Sequence, residues 1–443
     1  MKKALLFCIT AMLATVTFGQ DKKWTLQECV QYALDNNITI QQSELALLNA
    51  TIDKSDAIGN FVPNVNARAN VSENTGLSFN PVTNQPQTVT TLNATGGINL
   101  GYTLFDGLRN LRQLQRADLN RVASEFNLAR AKDDIALLVS NAFLDIILNK
   151  ENLKTIKAQN EITLEQIERT QQLVDGGVLP KGDLLEIRAT AATERQRIVA
   201  AENAVELSRI SLAQLLAVDN YQAFDVVDGV YDVFGDEILD LPVGTIIDSA
   251  RTNRFEVKIA EQNLELAKKD LQISKGARYP TLSAFFGYDT RFTTNDFIDI
   301  PFETQIYNND GINYGLSLNI PILNGFSVRN GIRRNKINVQ SNEVAVQQAR
   351  LDLEANVYQA YTAVKAAKES YEAARIAVES QELAYQYATD RYDVGLTNAF
   401  DFSQSKLRYD NAQIELARSK YDYIFRIKVL ELFYGVPATE LKF

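Results

Sequence analysis

The sequence predicts an α+β membrane protein with an internal duplication. Each half supplies two alternating β-strands and one helical hairpin far longer than a globular domain needs. Three observations carry this prediction. The two halves align with one another in order, two long stretches lack both Gly and Pro, and four short segments alternate apolar with polar residues. The 443 residues carry 45 Lys+Arg against 55 Asp+Glu, a formal charge of −10, and no His. Without His there is no Ser-His-Asp triad, no Cys-His pair and no His-bearing zinc or haem site. No compact cluster of Cys or carboxylates replaces these in the sequence, so no catalysis, metal or cofactor is expected. An acidic chain is also a poor match for a nucleic-acid backbone, and no nucleic-acid partner is expected.

The first element is a signal peptide over residues 1–20. Lys2 and Lys3 precede an uncharged apolar stretch from Ala4 to Val16, and small or polar residues end it at Phe18-Gly19-Gln20. The run is too short to span a bilayer comfortably, and cleavage is expected near Gly19 or Gln20. Cys8 lies too early in this run for a lipid anchor. Removing the signal leaves a charge of about −12 and Cys29 as the sole cysteine, which reads as a small buried hydrophobe on the first helix.

A constant offset lays Thr25–Ala67 over Pro242–Ala284. Ala33, Asn36, Glu44, Ala50, Asp53, Gly59, Pro63 and Ala67 then meet identical residues. With a drift of one residue the match continues through Tyr102–Gly107 over Ile320–Gly325. It resumes where Asp175, Gly177, Asp183 and Leu212 meet Asp393, Gly395, Asp401 and Leu430. The first repeat is assigned to 21–230 and the second to 231–443. Each opens with a helical stretch, Leu26–Asn60 or Val243–Lys275, ended before Pro63 or Pro280. A β-hairpin follows, at 65–104 and 282–322, and then a helical hairpin, at 108–217 and 327–435. Mixed segments remain at 218–241 and 436–443.

The long helices follow from the absence of breakers. From Leu108 to Asp175, and again from Ile332 to Val394, there is no Gly or Pro. At about 1.5 Å per residue each stretch spans on the order of 100 Å. Val346, Ala349, Leu353, Val357, Ala360, Val364, Ala367, Tyr371, Ala374 and Val378 recur three or four apart. Gln381, Tyr385, Ala388 and Tyr392 continue that row. Such a seam requires a facing helix, which the return stretch from Ala399 to Tyr434 supplies. Asp133-Asp134 read as surface acids.

The strands carry the strongest physical message. Val65–Ser72, Leu92–Leu104, Leu282–Phe292 and Ile312–Ile322 each set an apolar face against one of Asn, Thr, Ser, Gly, Arg and Asp. A half-buried soluble sheet alternates in the same way. These lengths also approach the roughly 9–11 residues of a tilted membrane strand, and the polar face suits a wet lumen. Asn66, Arg68, Asn93, Asn99, Asp289, Arg291, Asn313 and Asn319 are the candidate lumen-lining residues. Four strands cannot close a barrel, and lipid does not tolerate an open edge. Two chains would give eight strands and little lumen, whereas three would give twelve and a usable pore. Glu73–Thr91 and Thr293–Gly311 read as polar loops.

The order of these elements resembles the TolC family of bacterial outer-membrane efflux proteins. The likeness covers essentially the whole mature chain, from Trp24-Thr-Leu-Gln-Glu-Cys-Val-Gln-Tyr-Ala-Leu-Asp-Asn-Asn37 through the duplication, both hairpins and the Gly-marked turns. The resemblance implies a homotrimeric, 12-stranded β-barrel in outer-membrane lipid, continued by a long α-helical barrel in the periplasm. It assigns 218–241 and 436–443 to an equatorial belt. It implies a passive duct for small molecules, docked through its helical tips onto a periplasmic adaptor (membrane fusion) protein and an inner-membrane RND or ABC transporter. A duct for type I protein secretion is the alternative within this class, and a secreted coiled-coil scaffold is the alternative outside it.

The helical tips read Asp175-Gly-Gly-Val-Leu-Pro-Lys-Gly-Asp183 and Tyr392-Asp-Val-Gly-Leu-Thr-Asn-Ala-Phe-Asp-Phe-Ser-Gln404. In members of the family, acids just after this turn narrow the entrance, and a Tyr and an Arg reach an acid on the neighbouring tip. By this resemblance Asp401 matches the first aperture acid and Gln404 stands where a second acid would. Tyr392 and Asp183 match latch partners, while Thr397 replaces the Arg, with Lys181 a candidate substitute cation. Asp183 and Asp401 also read as N-caps of the returning helices, a role compatible with a gate. Gly177, Val178, Leu179, Gly395 and Leu396 are the candidate adaptor contacts.

Overall fold

The structure, a computed structural model, describes residues 23–80, 83–229, 231–294 and 300–437. The expected signal and the end of the expected equatorial tail lie outside these residues. The chain folds as two compact units, and each draws on both repeats. One contains the chain up to Glu44, Asn127–Val257 and the chain from Ala349. The other contains Leu45–Phe126 and Lys258–Gln348.

The first strand, β1 (Lys23–Trp24), leads into α1 (Leu26–Asn36). Thr25 and Glu28 form a reciprocal capping box that starts this helix. The opening helical stretch of each repeat is not continuous. α1 is followed by α2 (Ile38–Gly59), and in the second repeat α5 (Val243–Asn253) is followed by α6 (Phe255–Gly276). The breaks fall on Asn37 and Arg254, equivalent by duplication and both extended. Neither is a Gly or Pro, so tertiary bonds make the break. Asn37 Nδ2 donates to the Leu215 carbonyl at 2.8 Å, while its Oδ1 accepts from Thr39 N at 2.8 Å. Arg254 is buried, donates to Glu256 at 2.8 Å and reaches Asp133 at 3.5 Å. Asp133 is thus half-buried and ion-paired, which corrects its reading as a surface acid.

The long hairpins run as expected. α3 (Arg109–Asp175) and α8 (Ser327–Asp393) each have 67 residues, and they return as α4 (Lys181–Leu216) and α9 (Ala399–Tyr434). No seam residue from Val346 to Tyr392 is exposed. Leu353, Val357, Val364 and Ala367 share one apolar cluster with Tyr423, Ile427 and Leu430 of α9, which is the facing helix the spacing required. A second cluster gathers Cys29, Ala33 and Ile40 with Val139, Phe143, Ile146, Leu212 and Leu216. It also takes in Phe224 and Val226, and β4 (Asp225–Val226) pairs in parallel with β1. Lys150 holds Asp225 and Asp228, each at 2.7 Å, and Lys23 holds Asp228 at 2.6 Å. No described helix is long and apolar enough to cross a membrane.

The other unit holds one antiparallel sheet. Its strands are β2 (Asn64–Phe79), β3 (Pro86–Phe105), β5 (Thr281–Thr293) and β6 (Gly311–Asn319), in the order β2-β3-β5-β6. The first two strands run past the expected hairpin. Glu73–Phe79 and Pro86–Thr91 pair in register although read as loop, with Thr75 and Thr90 hydroxyls 2.9 Å apart. Glu73 and Thr75 interrupt the apolar face there before Leu77 and Phe79 resume it, so the alternation is broken while the ladder continues. β6 stops at Asn319, before Ile320 and Pro321, opposite the start of β5 at Thr281. The other expected loop contains α7 (Phe302–Asn308), held against β5 by Thr290 Oγ1 donating to the Ile306 carbonyl at 2.7 Å and by the Phe292–Phe302 ring contact.

The strand-to-helix turns repeat the duplication in backbone form. Gly107-Leu108 and Gly325-Phe326 are consecutive left-handed pairs at equivalent positions. A Cβ on Gly107 would lie 2.3 Å from the Gly276 carbonyl oxygen, so that turn admits no side chain.

Candidate functional site

The two tips are built alike. Gly177 and Gly395 take left-handed φ of 73° and 74°. Val178 N donates to Leu173 O at 2.9 Å and Leu396 N to Arg391 O at 2.8 Å, the same six-residue closure at both helix ends. The return helices start differently. α4 begins after Pro180 with no side-chain cap, and α9 after Asn398, whose Oδ1 accepts from Asp401 N at 2.8 Å. Asp183 and Asp401 are therefore not N-caps. Each lies in the first helical turn, three residues past the cap, where a carboxylate meets the positive end of the helix dipole.

Asp401 and Gln404 are exposed on α9, and Asp401 Oδ2 accepts from Thr397 Oγ1 at 3.4 Å. Thr397 thus serves the acid of its own tip, and Lys181 is exposed at the start of α4. Tyr392 is fully buried, stacked on Phe402 with centroids 4.9 Å apart. Its hydroxyl lies 3.2 Å from Thr170 Oγ1. Burial raises its pKa, and Asp183 adds to this, so within one chain Asp183 is a neighbouring charge while Thr170 is the hydrogen-bond partner. Leu179 is buried in this tip cluster with Ile187, Ala399 and Phe402, which removes it from the surface offered to a partner. Val178 and Leu396 are exposed, at 61% and 70%.

Sequence reasoning missed two features near the tips. Arg169 of α3 pairs with Asp393 of α8 at 2.7 Å, next to the Thr170–Tyr392 contact, so two adjacent rungs join the two hairpins. Deeper, Lys406 is buried between Glu194 at 2.7 Å and Asp410 at 3.0 Å. Asn160 and Thr163 of α3 also donate to Glu194, at 3.2 and 2.9 Å. Lys406 and Asp410 are four apart on one helix, a spacing that exposed pairs share; only the third partner, from α4, betrays burial. Nearby, burial pushes the Tyr385 hydroxyl up to about 12 as it stacks on Tyr409.

In the sheet, the register brings all eight candidate lumen residues to one face. Asn66, Asn99 and Asn313 lie in one cross-strand row, and Arg68 and Asp289 in another. Asn93, Arg291 and Asn319 share their parity. The opposite face carries Val65, Val71, Ile98, Phe286, Ile312, Tyr314, Leu316 and Leu318, all exposed in the single chain.

A family model described as outer membrane efflux protein matches residues 29–218 and 246–430. Outer membrane protein TolC of Vibrio cholerae is 21% identical over 99% of this chain and 97% of its own. Protein CyaE of Bordetella pertussis is 26% identical over 79% of this chain and 70% of its own. Among solved structures, CusC superposes with a TM-score of 0.80 at 16% identity, covering 95% of each chain. The Campylobacter jejuni CmeC outer membrane channel also gives 0.80, at 17% identity, over 94% of this chain and 87% of its own.

The Lys406 cluster generates a pH prediction. Burial raises the Asp410 carboxyl above its ordinary range, against the pull of Lys406. The folded chain then holds that proton to higher pH than the unfolded chain. The stability it confers is present in acid and is lost as pH rises through the folded value. Asp410→Asn leaves Lys406 its Glu194 partner and is expected to flatten this dependence and raise the neutral-pH melting temperature. Lys406→Met strands two buried carboxylates and is expected to cost about 3–5 kcal/mol. Thermal melts followed by helical circular dichroism, in acid and at neutral pH, check both.

Proposed function

Because the chain belongs to the outer membrane efflux protein family and is a channel of the outer membrane, we propose that three copies close one twelve-stranded barrel. They export small molecules passively, as the outlet of a pump whose energy source lies elsewhere. The observation that supports this reading is the four-stranded sheet, with β2 and β6 at its edges and an exposed apolar face. Two copies would leave little lumen, whereas three give a pore. The face bearing Asn66, Arg68, Asn93, Asn99, Asp289, Arg291, Asn313 and Asn319 lines the pore, and the opposite face meets outer-membrane lipid.

The helical hairpins supply the periplasmic tunnel, and their tips meet a periplasmic adaptor protein of an inner-membrane RND or ABC transporter. Val178 and Leu396, exposed apolar residues at tight turns, suit such a contact, with Gly177 and Gly395 shaping it. Three Asp401 carboxylates around the tunnel mouth focus negative potential and favour cations. Small-molecule efflux is preferred to protein secretion because the matching family is described by efflux.

Extracted in detergent, the protein is expected to run at about three times the mass of one chain and to precipitate when detergent is withdrawn. A detergent-independent monomer or dimer would overturn the barrel. Asp401→Ala is expected to lower cation selectivity in planar bilayers severalfold; unchanged selectivity would remove Asp401 from the gate. Leu396→Asp is expected to abolish pump assembly and drug resistance while leaving the trimer intact. Resistance at the wild-type level would place docking elsewhere.

A further inference from the structure

The four strands contain few charges, and their register sorts them by face. Arg68, Asp289 and Arg291 lie on the polar face. Glu73, the remaining charged strand residue, pairs with Leu92 on the apolar face, between Val71 and Leu77. Just before β6, Asp310 turns to the apolar face too, accepting from the Tyr288 hydroxyl at 3.4 Å. The polar face therefore carries two guanidiniums and one carboxylate per chain, set among Asn, Thr, Ser and Gly with Phe285 the aromatic exception. Around a threefold axis the surplus is three positive charges, in a chain whose formal charge is −10.

The carboxylate is already engaged. Arg68 Nη2 reaches Asp289 Oδ1 at 3.3 Å, and Asn313 Nδ2 donates to Asp289 Oδ2 at 3.4 Å. Arg68 and Asp289 belong to β2 and β5, so their contact crosses the whole width of β3. It does so at Gly97, the β3 residue registered with both. A Cβ there would lie 2.3 Å from Asp289 Oδ1. The missing side chain leaves the space in which the pair forms, and the pair holds Asp289 towards β2. Arg291, two residues further along β5, then sets the sign of this level of the face. The short helix α7 packs on the Thr290 and Phe292 side, the opposite face from Arg291.

We propose that Arg291 is a charge-selecting residue of the barrel. With Asp289 engaged by Arg68 across Gly97, a ring of three Arg291 guanidiniums favours anionic solutes, and the anionic group of zwitterionic ones, on the way out. This rests on the polar face being the lumen. Low-dielectric walls lined by one sign of charge raise the local concentration of the opposite ion.

The test measures reversal potentials of trimers in planar bilayers under a potassium chloride gradient, in an Asp401→Ala background so that the tip acids do not set the selectivity. Arg291→Gln is expected to lower the chloride-to-potassium permeability ratio about twofold or more, and Asp289→Asn to raise it. Gly97→Ala, by pushing Asp289 away from Arg68, is expected to shift the ratio towards potassium. An Arg291→Gln ratio equal to the background overturns the proposal. A companion pair, Asn99→Cys and Leu100→Cys, separates the two readings. A charged water-soluble thiol reagent should lower conductance only through Asn99→Cys. If it does so while Arg291→Gln changes nothing, the lumen stands and the charge selection fails. If Asn99→Cys is unaffected, the lumen assignment itself fails.

Discussion

Hydrocarbon offers no partner to a backbone N–H or C=O, and this chain presents two strand edges that its own fold does not cover. β2 pairs with β3 and β6 with β5, and the outer edge of each stays open among the described strands. Much else in the unit that holds the sheet follows from that requirement. Apolar side chains alternate along the face that lipid must cover, and Asn, Thr, Ser and Gly stay on the other. The sheet is incomplete by itself, so its closure and its membership of an assembly are one physical event.

The helical unit solves a different problem with the same economy of duplication. A hairpin of this length needs a continuous seam, and the α8–α9 seam supplies it largely with Val, Ala, Leu and Tyr at three-four spacing. Close to the tips the packing changes character. Tyr392, Phe402 and Leu179 form a small apolar plug, and polar links such as Arg169–Asp393 and Glu194–Lys406–Asp410 join helices from different repeats. Apolar packing stabilises without fixing a register, whereas buried ionic groups penalise misplacement heavily. The buried Glu194–Lys406–Asp410 group fixes the relative position of α4 and α9 on the approach to the tips.

Much of this was legible in the sequence because it is local or periodic. The offset alignment, the runs without Gly and Pro, the seam and the alternating strands all depend on spacing alone. What stayed hidden depends on contacts. Asn37 and Arg254 break helices without any breaker residue, because bonds to Leu215, and to Glu256 and Asp133, take over the backbone's role. Glu73–Phe79 pairs as strand although Glu73 and Thr75 interrupt its apolar face. Asp183 and Asp401 resemble caps in sequence, yet Pro180 and Asn398 hold that position. At the site, the exposed acid and the turn glycines could be read directly, while the burial of Leu179 and Lys406 needed the packing of distant helices.

The pairing of β3 with β5 has a consequence for how the chain comes to be folded. It registers Asn93 opposite Thr293, so the centre of the sheet joins one repeat to the other across nearly half the sequence. An N-terminal half emerging alone can form only its own two-stranded hairpin, which is marginal in water. Local helices form early, and contacts of such long separation form late. The apolar face of the sheet is therefore assembled last, after both repeats have been made. Until then the β2–β3 hairpin carries exposed apolar residues and a β3 edge awaiting β5, the kind of surface that invites aggregation in transit.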